Sequence, residues 1–204
     1  MKIILGAIAL LFALSAGAAS LDRYKAFLNA TQSARGQFEQ KVMGRDGKLT
    51  QESRGSFVFQ RPGRFRWVYD KPVDQVIVGD GQRVWIYDRA LNQVTVRKLE
   101  SALGSTPAAL LAGASGIEKA FELSDAGEKD ALEWMDAKPR EREAGFERVR
   151  MGFAKDGGLQ AMELTDNFGQ TTMLRFSKLE RNPKVSPTEF RFDPPKGADV
   201  LGDK

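Results

Sequence analysis

The sequence predicts a mainly β protein: one antiparallel sheet, strongly curved or rolled into a barrel, with a few short helices. Three observations predict it. From Gly36 onward apolar residues recur mostly at every second position, the period of a strand with one buried face. The runs are short and separated by hairpin turns such as Arg45-Asp46-Gly47-Lys48 and Gly79-Asp80-Gly81, where Asp and Gly tolerate positive φ. There are about eleven such runs, too many for a small filled barrel, so the interior is either a ligand cavity or plugged.

The chain opens with Met1-Lys2, an apolar run from Ile3 to Leu14, and the small residues Ser15 to Ser20. A basic start, an apolar stretch too short to span a bilayer and small residues behind it mark residues 1–18 as an export signal. Ala16-Gly17-Ala18 fits the small-x-small rule, so cleavage falls after residue 18 or 19; a retained membrane anchor is the alternative. Residues 19–204 then form a single domain, long enough to bury a large core.

Leu21, Tyr24, Phe27 and Leu28 mark one face of a short helix ending near Thr31. The expected strands before the interruption are Ala34–Met43, Leu49–Gln60, Arg64–Asp70, Asp74–Gly79, Gln82–Asp88 and Asn92–Lys98. Arg61-Pro62-Gly63-Arg64 supplies a Pro-Gly turn between the second and third. A connector over 99–116, rich in Ala, Leu and Gly, breaks the pattern. Thr106 is a plausible N-cap there, Pro107 suits the first helical position and Gly113 a stop. Leu103, Leu110 and Leu111 give the connector apolar side chains, which fit either packing on the core or a lid over a cavity hinged at Gly104, Gly113 and Gly116. The strand period returns at Lys119–Asp125, Asp130–Ala137, Phe146–Lys155, Gly158–Thr165 and Gln170–Leu179. The Pro-rich tail over 186–204 is expected to run along the outside.

Composition excludes much chemistry. The 204 residues contain no cysteine and no histidine, which removes disulfides, thiol nucleophiles, the Ser-His-Asp triad and histidine metal sites. The formal charge is +4, with both signs interspersed. Loss of Lys2 with the signal makes it +3, an ordinary solvated surface rather than a polyanion-binding one. Asp80, Asp88, Glu133 and Asp166 are the carboxylates that could serve a hydrolase; no spacing pairs them. No metal, cofactor or nucleic acid is expected.

The stretch Arg64-Phe65-Arg66-Trp67-Val68-Tyr69 puts Phe65, Trp67 and Tyr69 on one strand face and Arg64 and Arg66 on the other, where the two arginines are expected to be available to acidic partner surfaces. Such a strand can stack on bases, fill a core, or line an apolar cavity; an export signal argues against the first. Phe57, Phe59, Val76, Val78, Val84, Ile86, Trp134, Phe153, Leu174 and Phe176 add apolar side chains that would line that cavity or its rim. Arg61, beside the turn proline, could hold the last carbonyls of a short helix if it pointed inward.

Arg35 to Val42 (RGQFEQKV), Gly55 to Asp88 (GSFVFQRPGRFRWVYDKPVDQVIVGDGQRVWIYD), Gln93 to Leu99, Ser105 to Gly113 (STPAALLAG) and Phe190 to Val200 (FRFDPPKGADV) together resemble the LolA family of periplasmic lipoprotein carriers of Gram-negative bacteria. The resemblance covers most of residues 19–204 in family order; Glu118 to Arg150 matches only as strands. It implies an incomplete, unclosed antiparallel β-barrel of eleven strands with an α-helical lid over an apolar cavity that takes lipoprotein acyl chains. It implies an inner-membrane ABC-type release complex and an outer-membrane lipoprotein receptor as partners, a periplasmic monomer and no catalysis. It assigns Arg61 as a latch to lid backbone, Phe65 and Trp67 to the cavity, and Pro107, Leu110 and Leu111 to the lid. The family's receptor carries a lipidated cysteine, which this chain lacks, so the chain resembles the carrier. A lipid-binding envelope sensor on the same half-barrel is the alternative, and a carboxylate-based hydrolase the next.

Overall fold

The computed structural model describes residues 19–102, 108, 111–113, 121–140 and 145–202. The export signal over 1–18 and Leu103, Gly104, Thr106, Pro107, Leu110 and Gly116 of the connector lie outside the described residues.

Helix α1, Ala19–Ala30, comes first. The strands follow: β1 Ser33–Met43, β2 Leu49–Gln60, β3 Arg64–Tyr69, β4 Gln75–Asp80, β5 Arg83–Asp88 and β6 Gln93–Lys98. A single helical turn, α2 Leu99–Ala102, opens the connector. Then come β7 Phe121–Lys129, β8 Leu132–Pro139, β9 Phe146–Phe153, β10 Leu159–Asp166 and β11 Thr171–Arg181. These eleven strands are those the two-residue period predicts, mostly within two residues at each end. The exception is β7. Strand β7 runs on to Lys129 because an irregularity between Asp125 and Glu128 lets pairing with β8 resume. The turn that ends it, Asp130 and Ala131, has positive φ at both residues.

The tail departs from the expectation of an outer strap alone. Ser186 caps a 3-10 helix over Pro187–Phe190 in a capping box with Glu189, which satisfies donors at both positions. A twelfth strand, β12 Asp199–Gly202, pairs in parallel with β6. Four residues beside prolines and glycines carry too little period to be read as a strand.

All twelve strands form one sheet in the order β12-β6-β5-β4-β3-β2-β1-β11-β10-β9-β8-β7. Sequence neighbours pair as antiparallel hairpins, and β1 with β11 joins the two halves. The order does not return on itself, so the barrel is unclosed. Residues on its inner face form one core with α1, Leu99, Ala102, Ala108, Leu111 and Ala112. Part of the outer face is buried too. Val76 and Val78 point away from Ile77 yet are 3% and 0% exposed, because the tail covers β3 to β5. Phe192 packs on Trp85 and Tyr87, with ring centroids 5.8 and 5.9 Å apart, and Phe190 is buried. The run Val76-Ile77-Val78 is therefore apolar without alternation because both faces are covered; Val76 and Val78 belong to the outer face, not the cavity. Among the described residues, no helix is long and apolar enough to cross a membrane.

Candidate functional site

The inner face of β1 to β3 and β11 is an aromatic wall. Strand alternation points Phe57 and Phe59 of β2 and Phe65, Trp67 and Tyr69 of β3 the same way, and pairing sets Phe57 beside Trp67 and Phe59 beside Phe65. Trp67 stacks on Phe57 at 5.0 Å with the planes 24° apart, and lies 4.6 Å from Phe38. Phe176 meets both Phe57 and Trp67 edge-on. Offset and edge contacts of this kind contribute about 0.5–1.5 kcal/mol each beyond area burial. Gly79 makes room for Phe65, since a Cβ there would lie 2.3 Å from the ring. Tyr69 donates its hydroxyl hydrogen to Gln40 Oε1 at 2.9 Å. Burial pushes its pKa up to about 12.

Val84 and Phe153 join the same core, and Ile86 packs against it half-buried. Leu111 is 2% exposed within it. Trp134 is not part of this wall. It sits in a separate cluster with Leu132 and Ala161, beneath the Arg150 guanidinium at 5.2 Å, with Nε1 donating to Lys129 O at 3.0 Å. In β8 the inward positions fall on Met135 and Ala137, so Trp134 faces outward. A lone tryptophan in an alternating strand gives no sign of which face is inside.

Arg61 closes one end of the wall. Its backbone is fixed at the β2–β3 turn by Arg61 N donating to Gln32 O at 2.8 Å. The guanidinium runs inward over the rings of Phe27 and Phe59, at 5.0 and 5.1 Å. Nη1 donates to Leu28 O at 3.3 Å and to Thr31 O, both at the C-terminal end of α1. Nη2 donates to Leu111 O at 3.0 Å. These are carbonyls of the kind a helix end leaves without partners. Gly63 N adds a bond to Ala112 O at 3.3 Å, and Ala112 N closes a helical turn onto Ala108 O at 3.0 Å. Gly113, at φ +58°, lies against the same guanidinium, and a Cβ there would be 2.7 Å from Nε. Among the described residues, no carboxylate takes part. Burial therefore lowers the Arg61 pKa to about 10, with only a small opposing pull from Tyr24, and Nε has no acceptor. Arg61 thus ties three elements together: the β2–β3 turn, α1 and the connector. The sequence pointed to the connector and to a helix end in separate readings, and nothing local said that one side chain reaches both.

The outward arginines differ from each other. Arg64 is exposed. Arg66, expected to be available to acidic partners, donates Nε to Glu189 O at 3.1 Å and helps hold the tail; burial, mainly, lowers its pKa.

The four candidate carboxylates do not converge. Asp80 Oδ1 accepts from Gln82 N and Arg83 N at 2.8 and 2.7 Å, and Oδ2 from Trp85 Nε1 at 3.1 Å. Burial works to raise its pKa, but these bonds and the Arg83 charge bring it below the ordinary value. Asp88 accepts from Leu91 N, and Asp166 from Phe168 N and Gln170 N. Glu133 pairs with Arg23 of α1. Asp80, Asp88 and Asp166 serve local turns, and Glu133 ties α1 to β8. Among the described residues, no group of acidic side chains could hold a metal ion.

Comparison with known proteins identifies the family. The family model described as outer membrane lipoprotein carrier protein LolA matches residues 29–193. A protein of Dechloromonas aromatica named outer-membrane lipoprotein carrier protein is 48% identical over 193 residues, covering 95% of this chain and 92% of its own length. One of the same name from Nitrosospira multiformis is 47% identical over 194 residues, covering 95% and 94%. Solved structures share the fold. An uncharacterised conserved protein of Thermus thermophilus superposes with a TM-score of 0.56 at 14% identity, over 90% of this chain and 98% of its own. A LolA superfamily protein of Nitrosomonas europaea does so with a TM-score of 0.50 at 11% identity, over 86% and 98%. The chain belongs to the LolA family of outer membrane lipoprotein carrier proteins.

Proposed function

We propose that this protein is a periplasmic, non-enzymatic carrier. It takes acylated lipoproteins from an inner-membrane ABC-type release complex, shields their acyl chains, and hands them to an outer-membrane lipoprotein receptor. The observation that carries the reading is the Arg61 clamp across the end of an aromatic wall, in a chain of this family.

The magnitudes make a clamp useful. Burying acyl chain is worth about 0.8 kcal/mol per methylene, so a loaded carrier would hold its cargo against escape through water. Delivery then needs a competing state. In this reading the clamped form, with Phe65, Trp67, Tyr69, Phe57 and Phe59 packed on one another, is that competitor. Entry of acyl chains parts α1 and the connector from the wall and breaks the Arg61 bonds, each worth about 1.5–3 kcal/mol at most. Transfer to the receptor restores them. Leu111, on the connector side of the clamp, moves with it.

The test is release from spheroplasts making labelled lipoprotein. Purified residues 19–204 should draw label into the supernatant as a soluble one-to-one complex. Label that stays on spheroplasts from which a known carrier does release it rules the transport role out.

A further inference from the structure

Asp125 of β7 receives the start of α1. Its Oδ2 accepts from the Ser20 hydroxyl at 2.7 Å and from Ser20 N at 3.2 Å, and its Oδ1 accepts from Gly127 N at 2.8 Å. Ser20 N belongs to the first turn of α1, where backbone N–H groups have no acceptor within the helix. So far Asp125 is a cap supplied from a neighbouring strand.

Among the described residues its charge has no ion-pair partner. None of the ion pairs among the described residues includes Asp125. The nearest cation on the helix, Arg23, is committed elsewhere: it grips both Glu133 oxygens and Lys155 O. The charged groups around this end of α1 are Asp22 and Arg23 on the helix, Asp125 on β7, Glu133 on β8, and Lys155 and Asp156 in the β9–β10 turn. An amide N–H facing an unpaired carboxylate is a modest contact. A charged donor in the same place would be about twice as strong.

Export processing would supply that donor. Cutting the chain between Ala19 and Ser20 breaks the peptide bond by hydrolysis and turns Ser20 N into an α-ammonium without moving it. We infer that the processed chain begins at Ser20 and that its α-ammonium pairs with the Asp125 carboxylate. A bare positive charge at a helix N-terminus is unfavourable against the macrodipole, and the carboxylate offsets it. Cleavage one residue earlier would leave Ser20 N an amide and carry the ammonium away from Asp125. On this inference the Asp125 contact tells apart the two bonds that the small-residue pattern leaves equal. The inference rests on the reading of the leading residues as an export signal.

The experiment exports the full chain in a Gram-negative host, recovers the protein from the periplasm and measures its intact mass and first residue. It then titrates the α-amino group by NMR after reductive methylation with labelled formaldehyde, in the wild type and in Asp125→Asn. The expected results are a first residue of Ser20, an α-amino pKa at least one unit above the ordinary ~7.7–8.0, and a return to that range in Asp125→Asn. A first residue of Ala19, or an α-amino pKa in the ordinary range in the wild type, overturns the inference and leaves export intact. No cleavage at all overturns the export reading with it. The wild-type titration decides the pairing by itself if Asp125→Asn does not fold.

Discussion

Helix α1 is held by two arginines, one toward each end. Toward the N-terminus, Arg23 is partly exposed and grips the Glu133 carboxylate with two nitrogens and Lys155 O with a third. At the C-terminus, Arg61 is half-buried and grips only carbonyls. The hydrogen bond to Glu133, foremost, raises the Arg23 pKa, whereas burial lowers that of Arg61 to about 10. Arg23 fastens α1 to β8 and the β9–β10 turn with a counter-charge in place, and nothing is gained by undoing it. Arg61 holds a charge away from water without a counter-ion and leaves Nε unsatisfied. Water can repay on opening much of what the bonds give on closing. The difference teaches which clamp is suited to hold and which to open: in the proposed carrier cycle α1 would stay with the β7–β9 side while the Arg61 side separates.

The largest expected effect tests the wall against which Arg61 closes. Trp67→Ala removes the ring shared by Phe38, Phe57 and Phe176 and should cost about 3–5 kcal/mol in urea unfolding. Next is the wall's buried phenol. Unfolded tyrosine releases its proton near pH 10, but folded Tyr69 only near 12. The folded state holds the extra proton in between, so this contribution is complete below pH 10 and is lost as pH rises toward 12. The loss amounts to about 2–3 kcal/mol, and in Tyr69→Phe that part of the decline in the urea midpoint should vanish. Arg61→Leu should slow delivery to acceptor membranes at least about tenfold, the equivalent of one weak charge-assisted bond, while uptake is kept. Delivery at the normal rate would mean that Arg61 is as passive as Arg23. The smallest effect belongs to Arg23→Gln, a slight fall in Tm that high salt reduces, because a partly exposed ion pair is screened. A loss of delivery as large as that of Arg61→Leu would reverse the assignment of fixed and opening clamps.

Much of the fold was legible because it is local. Hairpins need only a two-residue period and a turn that tolerates positive φ, and both are written in stretches such as Arg45-Asp46-Gly47-Lys48 and Asp156-Gly157-Gly158. The aromatic face of β3 was legible for the same reason. The site was legible in part. Phe57, Phe59, Phe65, Trp67 and Tyr69 fall on one wall because alternation on paired strands leaves them no other choice. Trp134 was misplaced because β8 carries buried residues on both faces, and period alone cannot say which is inside. Arg66 was misread because the tail that covers it lies 123 residues further along the chain.

By itself the sequence determined the β-rich class, the order of hairpins, the exclusion of cysteine and histidine chemistry, and a resemblance resting on motifs. Each is set by neighbours in the chain or by composition. Only the tertiary structure decided that the barrel stays unclosed, that the tail adds a parallel strand and buries a second face, and that Arg61 joins α1 to the connector. The physical reason is distance along the chain. A guanidinium finds its carbonyls, and a sheet its cover, among residues 30 to 123 positions away, and no local pattern encodes which of them will be near.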